Sequence, residues 1–194
     1  QARKIWFDNS VFRLNVDERG EFIGEFSSDD KIVTINQKGE IEFKSYDLSN
    51  HFKDDLIFIE KYNADKVISI IYYDGGKKLF YVKRFKAELV SKPTMLFNNT
   101  KDSYLENLST LKKPIAKLPF KKEVGKEREH AIVDLSDFIA VKGQNAKGKI
   151  ISKKKIIDIE IFDFNDNSYK SASDNINDNS TFNDTNNHQI TLDL

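Results

Sequence analysis

Positive charge is the feature of this sequence with the clearest chemical use. Lys112, Lys113, Lys117, Lys121, Lys122, Lys126 and Arg128 form one cluster, interrupted by Glu123 and Glu127. Lys142, Lys147, Lys149, Lys153, Lys154 and Lys155 form a second, with no acidic residue among them. Lys83 and Arg84 add a smaller patch on one arm of a strand pair. Lysine dominates the first two, and an ammonium on a flexible stem suits contact with phosphate oxygens rather than bidentate reading of bases. Laid along a polyanion, such groups release counterions, with roughly −0.9 in log affinity per log salt for each phosphate neutralised. From composition alone, the same residues also describe a solvated lysine-rich surface.

Other chemistry is thinly supplied. The chain has no Cys, which excludes disulfides, thiolate zinc sites, iron–sulfur clusters and thiol catalysis. His51, His130 and His188 lie far apart, and Glu127-Arg128-Glu129-His130 lacks the two-histidine helical spacing of a metal motif. Asp29-Asp30 and Asp54-Asp55 fall in expected turns and make no acid–base dyad. Asn98, Asn107, Asn179 and Asn183 open Asn-x-Ser/Thr triplets, which chance supplies in an Asn-rich chain. No catalytic residue and no metal ligand is expected.

The elements that position these lysines are strands. Lys31–Ile35, a turn at Lys38-Gly39 and Glu40–Tyr46 alternate with period two, placing Ile41 and Phe43 on one face and Glu40, Glu42 and Lys44 on the other. Val67–Tyr73, Asp74-Gly75-Gly76 and Leu79–Phe85 give a second hairpin, because Asp-Gly between β-branched and aromatic runs is a strong turn signal. Ile5–Phe7 with Glu21–Phe26 predict an earlier unit, and Phe138–Gly143 with Gly148–Ile151 a later one. Ile157, Ile159 and Ile161 alternate with Asp158 and Glu160. Only Asp47–Phe52 and Leu135–Phe138 suggest a helical turn. Phe22, Phe26, Phe43, Tyr72, Phe80, Phe85, Phe138 and Ile159 are expected in the core.

Repeated strand–turn–strand units predict an all-β array over residues 1–162. Residues 163–194, with eight Asn and six Asp, are expected to be a disordered acidic tail. The 194 residues carry no net charge, but residues 1–62 hold −4, residues 63–162 hold +9 and residues 163–194 hold −5. The basic block is therefore flanked by acidic ones. No apolar run approaches the length of a membrane span, and no basic-then-apolar leader is visible, so neither membrane insertion nor secretion is expected.

Asn15–Phe26 and Asp29–Gly39 resemble the C-terminal domain of bacterial type IIA topoisomerase A subunits, the subunits of DNA gyrase and topoisomerase IV. Ile70–Gly75, Tyr81–Phe85 and Phe138–Lys149 extend the resemblance across residues 1–162. It implies a β-pinwheel of three to four propeller-like blades, whose basic rim binds and bends duplex DNA without strong sequence preference and presents it for strand passage. It also implies a cytoplasmic, nucleoid setting and a parent that acts through an A-subunit dimer with a B subunit, using Mg and ATP. This chain would itself hold no cofactor. The family's cleavage core, with its active-site Tyr, has no counterpart here. A gyrase-type Gln-Arg-Arg-Gly-Gly-Lys-Gly box is absent as such, its nearest stretch being Gln144–Lys149, which favours topoisomerase IV-like relaxation and decatenation over supercoiling.

The final residues, Gln189-Ile190-Thr191-Leu192-Asp193-Leu194, resemble peptides that dock into the bacterial sliding clamp, with Gln189, Leu192 and Leu194 as the anchors. The same tail, held against the basic rim, would compete with DNA as a built-in polyanion. Two other readings follow from the strand pattern. One is a protein-interaction propeller in which the tail is the working part. The other is a carbohydrate-active propeller, which lacks a convincing carboxylate pair.

Overall fold

The computed structural model describes residues 1–127 and 129–165. In chain order the strands are β1 (Arg3–Asp8), β2 (Arg13–Asn15), β3 (Glu21–Phe26), β4 (Ile32–Asn36), β5 (Glu40–Lys44), β6 (Leu56–Lys61) and β7 (Val67–Asp74). They continue as β8 (Leu79–Lys86), β9 (Thr94–Met95), β10 (Tyr104–Ser109), β11 (Pro114–Pro119), β12 (His130–Asp134), β13 (Lys149–Ser152) and β14 (Glu160–Asp163), with the single-turn helix α1 (Leu135–Phe138) after β12. They make four antiparallel sheets, ordered β2-β1-β3, β6-β4-β5-β9, β10-β7-β8-β13 and β12-β11-β14. The all-β expectation is met.

Three apolar layers separate the four sheets. Ile5, Phe7, Leu14, Ile23 and Phe26 of the first sheet pack on Ile32 and Ile59 of the second. Val33, Ile35, Ile41 and Phe58 of the second pack on Ile68, Ile70, Tyr72, Tyr81 and Phe85 of the third. Ile71, Phe80, Val82 and Ile151 of the third pack on Ala116, Leu118, Leu135 and Ile159 of the fourth region. Strands β4, β7 and β8 are covered on both faces, which is why they read as near-continuous apolar runs rather than clean alternation. Tyr72 is stacked between Tyr81 at 5.3 Å and Phe97 at 4.4 Å.

Both strong hairpins stand where expected. β4 and β5 turn through Gly39, at φ +85°, where a side chain would run into the Phe97 ring 2.3 Å away. β7 and β8 pair from Val67↔Lys86 to Asp74↔Leu79, so the turn spans four residues, and Asp74 ties it by accepting from Gly76 N and Lys77 N, each at 3.0 Å.

Four expectations are corrected. Phe138–Gly143 and Gly148–Ile151 do not form a hairpin: α1, capped by the Asp134 carboxylate, ends at Phe138, and β13 pairs with β8 instead. Asp47–Phe52 is not helical; Asp47 Oδ1 accepts from Ser49 N and Oγ, each at 2.8 Å, closing an Asx turn. Phe22 is 49% exposed, because a bulge opposite Ile5 and Trp6 shifts the alternation and leaves it outside beside the Trp6 ring at 5.1 Å. The fold passes the expected boundary at 162: Asp163 pairs with Pro114, and Phe164 N donates to Lys113 O at 2.9 Å. Most of the expected tail, including Gln189, Leu192 and Leu194, lies outside the described residues.

Candidate nucleic-acid interface

Parts of the two lysine clusters, separate in sequence, meet at one end of β11. Beyond Pro119 the chain stays paired: Phe120 bridges Ile156, and Lys121 N donates to Lys155 O at 2.9 Å. Lys121, Lys122, Lys126, Lys154 and Lys155 thereby line one open cavity of about 310 Å³ with Phe120, Glu123, Glu127 and Glu129. All five lysines are exposed. Lys126 pairs with Glu123 at 2.7 Å, and that contact holds the Glu123 carboxyl below and the Lys126 ammonium above their ordinary ranges. Lys154 lies 3.5 Å from Glu129 and over the Phe120 ring at 5.3 Å. Both pairs are solvent-exposed and add little to stability. Lys121, Lys122 and Lys155 have no carboxylate within ion-pair distance among the described residues. Lys153 stands exposed just before them.

The first cluster is not one patch. Lys112 and Lys113 lie at the opposite end of β11, about 25 Å from Lys121 along an extended strand. There Lys113 Nζ sits over the Phe164 ring at 5.3 Å. Lys117 lies between the ends, half-buried, with Ile132 and Glu160 directly opposite on the neighbouring strands. Arg128 is outside the described residues. Lys142, Lys147 and Lys149 follow the edge where β13 meets β8. Lys142 N donates to Arg84 O at 2.9 Å, Lys147 Nζ lies over Tyr81 at 4.8 Å and Lys149 Nζ over Phe138 at 4.1 Å.

Lys83 and Arg84 are a correction, because neither is on the surface. Lys83 is 1% exposed, and its ammonium donates to Leu96 O at 2.7 Å and Gln144 O at 2.6 Å. Burial pulls its pKa down to about 8. Arg84 is 7% exposed, donates from Nε to Ser69 Oγ at 3.1 Å and from a terminal nitrogen to Ile139 O at 3.4 Å, and is also lowered by burial, opposed by Asp134. A strand covered on both faces has no solvent side for either residue. They hold the scaffold on which the exposed lysines sit. In particular, Lys83 fixes the loop carrying Lys147, with Gln144 Oε1 accepting from Glu88 N at 2.9 Å and Tyr72 Oη donating to Lys147 O at 2.7 Å.

The sequence reading also missed two lysines. Lys77 and Lys78 lie in the β7–β8 turn, and both are exposed at its tip. The signal available was a Gly-Gly-Lys-Lys turn, which puts two cations where the chain must project from the sheet.

Comparison with protein families gives a match to the topoisomerase C-terminal domain, Bacteroidota, over residues 13–163. This chain belongs to that topoisomerase C-terminal domain family. The solved C-terminal domain of DNA topoisomerase IV is similar over 82% of this chain and 71% of its own, at 10% identity and a TM-score of 0.36. A search of curated proteins gives no match. The fold is the expected all-β array, built of four small antiparallel sheets. Among the described residues there is no cluster of three or more potential metal ligands, and no helix is long and apolar enough to cross a membrane.

Proposed function

We propose that this topoisomerase C-terminal domain binds duplex DNA without strong sequence preference, bends it, and presents segments for strand passage by a type IIA enzyme. The observation that carries the reading is the convergence of Lys121, Lys122, Lys126, Lys154 and Lys155, from two distant stretches, around one open cavity. Three of these have no carboxylate partner among the described residues, so their charge is available to an external polyanion. Membership of the topoisomerase C-terminal domain family supports the same reading.

In this proposal the cations touch phosphates only, fixing the path of the duplex rather than its sequence. The A-subunit dimer, the B subunit, Mg and ATP belong to the parent assembly in the nucleoid, and this domain contributes no catalytic group. The lack of a gyrase-type box supports relaxation and decatenation rather than supercoiling. An assay of the whole enzyme on relaxed and on linked circles separates the two. Docking of Gln189, Leu192 and Leu194 on the sliding clamp is a separate expectation, tested by binding of the terminal peptide.

A gel shift on linear duplex at two salt concentrations tests the central claim. Binding should fall steeply with salt. Changing Lys121, Lys122 and Lys155 together to Glu should weaken it at least tenfold and remove about two to three units of salt slope. Indifference to both changes would instead favour a protein-interaction module.

A further inference from the structure

The β11–β12 connection, which supplies Lys121, Lys122 and Lys126 to the Phe120 cavity, has an uncovered apolar side chain at its tip. Val124 is 104% exposed, whereas the next most exposed large apolar residue among those described, Val11, reaches 56%. The root of the connection stays paired: Phe120 N donates to Glu129 O and Lys121 N to Lys155 O, each at 2.9 Å. The tip is a turn over residues 123–126, in which Lys126 N donates to Glu123 O at 3.3 Å and the two side chains pair at 2.7 Å. Gly125, at φ +80°, is the left-handed residue that a type II turn needs in third place. The second place of such a turn is extended, which suits the β-branched Val124. No atom of the fold lies within 4 Å of where a Gly125 side chain would stand, so the tip projects clear of the sheets.

A single exposed valine is ordinary on a protein surface. This one stands among cations: Lys121 and Lys122 precede it, Lys126 follows it, and Lys154 and Lys155 complete the cavity lining. The acid beside it, Glu123, is already engaged by Lys126, which offsets its charge where a phosphate backbone would pass. Lysines that neutralise phosphates fix the path of a duplex, but phosphate contact alone leaves its bases stacked. An apolar tip held between those lysines acts differently. Its methyl groups leave water only by entering the groove, and an apolar side chain set between two base pairs unstacks them and kinks the duplex.

We infer that Val124 is a wedge that enters the minor groove of the bound duplex between two base pairs and kinks it, while the cavity lysines hold the flanking phosphates. The inference rests on the DNA-binding reading and assigns the bending in that reading to one side chain. A wedge of this kind favours pyrimidine–purine steps, which unstack most easily.

The test compares the full chain with Val124→Ser and Val124→Leu on a short duplex labelled at both ends for energy transfer. The duplex carries 2-aminopurine beside a central TA step. At saturation the unaltered chain should shorten the end-to-end distance and raise the 2-aminopurine fluorescence. Val124→Ser should lose most of both signals yet keep the slope of log affinity against log salt, because no phosphate contact is removed. Val124→Leu should keep both signals. The side chain is fully exposed, so equal denaturation midpoints are expected to certify the folds. Equal bending by Val124→Ser and the unaltered chain, or bending without a rise in fluorescence, would overturn the wedge and leave DNA binding in place. An unaltered chain that does not bind the duplex would remove the DNA reading and the wedge together.

Discussion

Lys83 and Arg84 are neighbours on β8, yet their side chains leave the strand in opposite directions. Lys83 points into the layer shared with the second sheet and Arg84 into the layer shared with the fourth. Both cap carbonyls that would otherwise be buried without a donor. Lys83 is held without an acidic partner, so burial alone lowers its pKa to about 8. This gives a pH dependence of definite sign. The folded protein loses the proton near pH 8 and the unfolded chain near 10.4. Between those values the unfolded state binds more protons, so stability rises with pH through that window. The rise, on the order of 3 kcal/mol at full extent, should appear in urea unfolding of the unaltered chain from pH 7 to 10. It should be missing from Lys83→Met, and equal slopes in the two proteins would contradict the burial of this charge.

At the scale of elements, β14 decides where the chain can be cut. Its pairing with β11 runs from Pro114↔Asp163 to Lys117↔Glu160, and Phe164 adds a further bond to Lys113. Removing residues 166–194 should leave the thermal midpoint within a degree or two. Removing residues 157–194 takes away an entire strand and the buried Ile159, and should destabilise the fourth sheet by about 3 kcal/mol or more. A midpoint drop in the shorter deletion would show that the tail packs on the fold. The hairpins of β4–β5 and β7–β8 were legible because turn residues sit between alternating runs, a local signal. The pairing of β13 with β8 was not legible. It joins segments far apart in the chain, and Ile150 opposite Tyr81 carries no sequence mark that distinguishes it from a local hairpin partner.

The molecule as a whole is a succession of sheets joined by three apolar layers, and among the described residues none of those layers contains both the first and the last sheet. The second and third sheets are each covered on two faces, while the first and fourth are covered on one. Opening free energy should follow that difference. Amides of β4, β7 and β8 should therefore exchange slowest with solvent, and those of β1–β3 and β12 at least tenfold faster in native-state hydrogen exchange. Uniform protection across all four sheets would indicate a further layer closing the array. The charge distribution acts at this same scale. A neutral total conceals a basic middle block, and folding gathers part of that block at the fourth sheet and part at the edge of the third.

Sequence alone determined the all-β character, the two strong hairpins, and the stretches that hold most of the positive charge. These depend on residue type and on periods of two, which operate over a few neighbours. Tertiary structure alone decided which cations face water. Lys83 and Arg84 look the same as Lys142 or Lys149 in composition, but a second sheet packed on each side of β8 removes them from solvent. The meeting of Lys121 with Lys155 likewise depends on contacts between distant segments, because electrostatic proximity is set by distance through space and not along the chain.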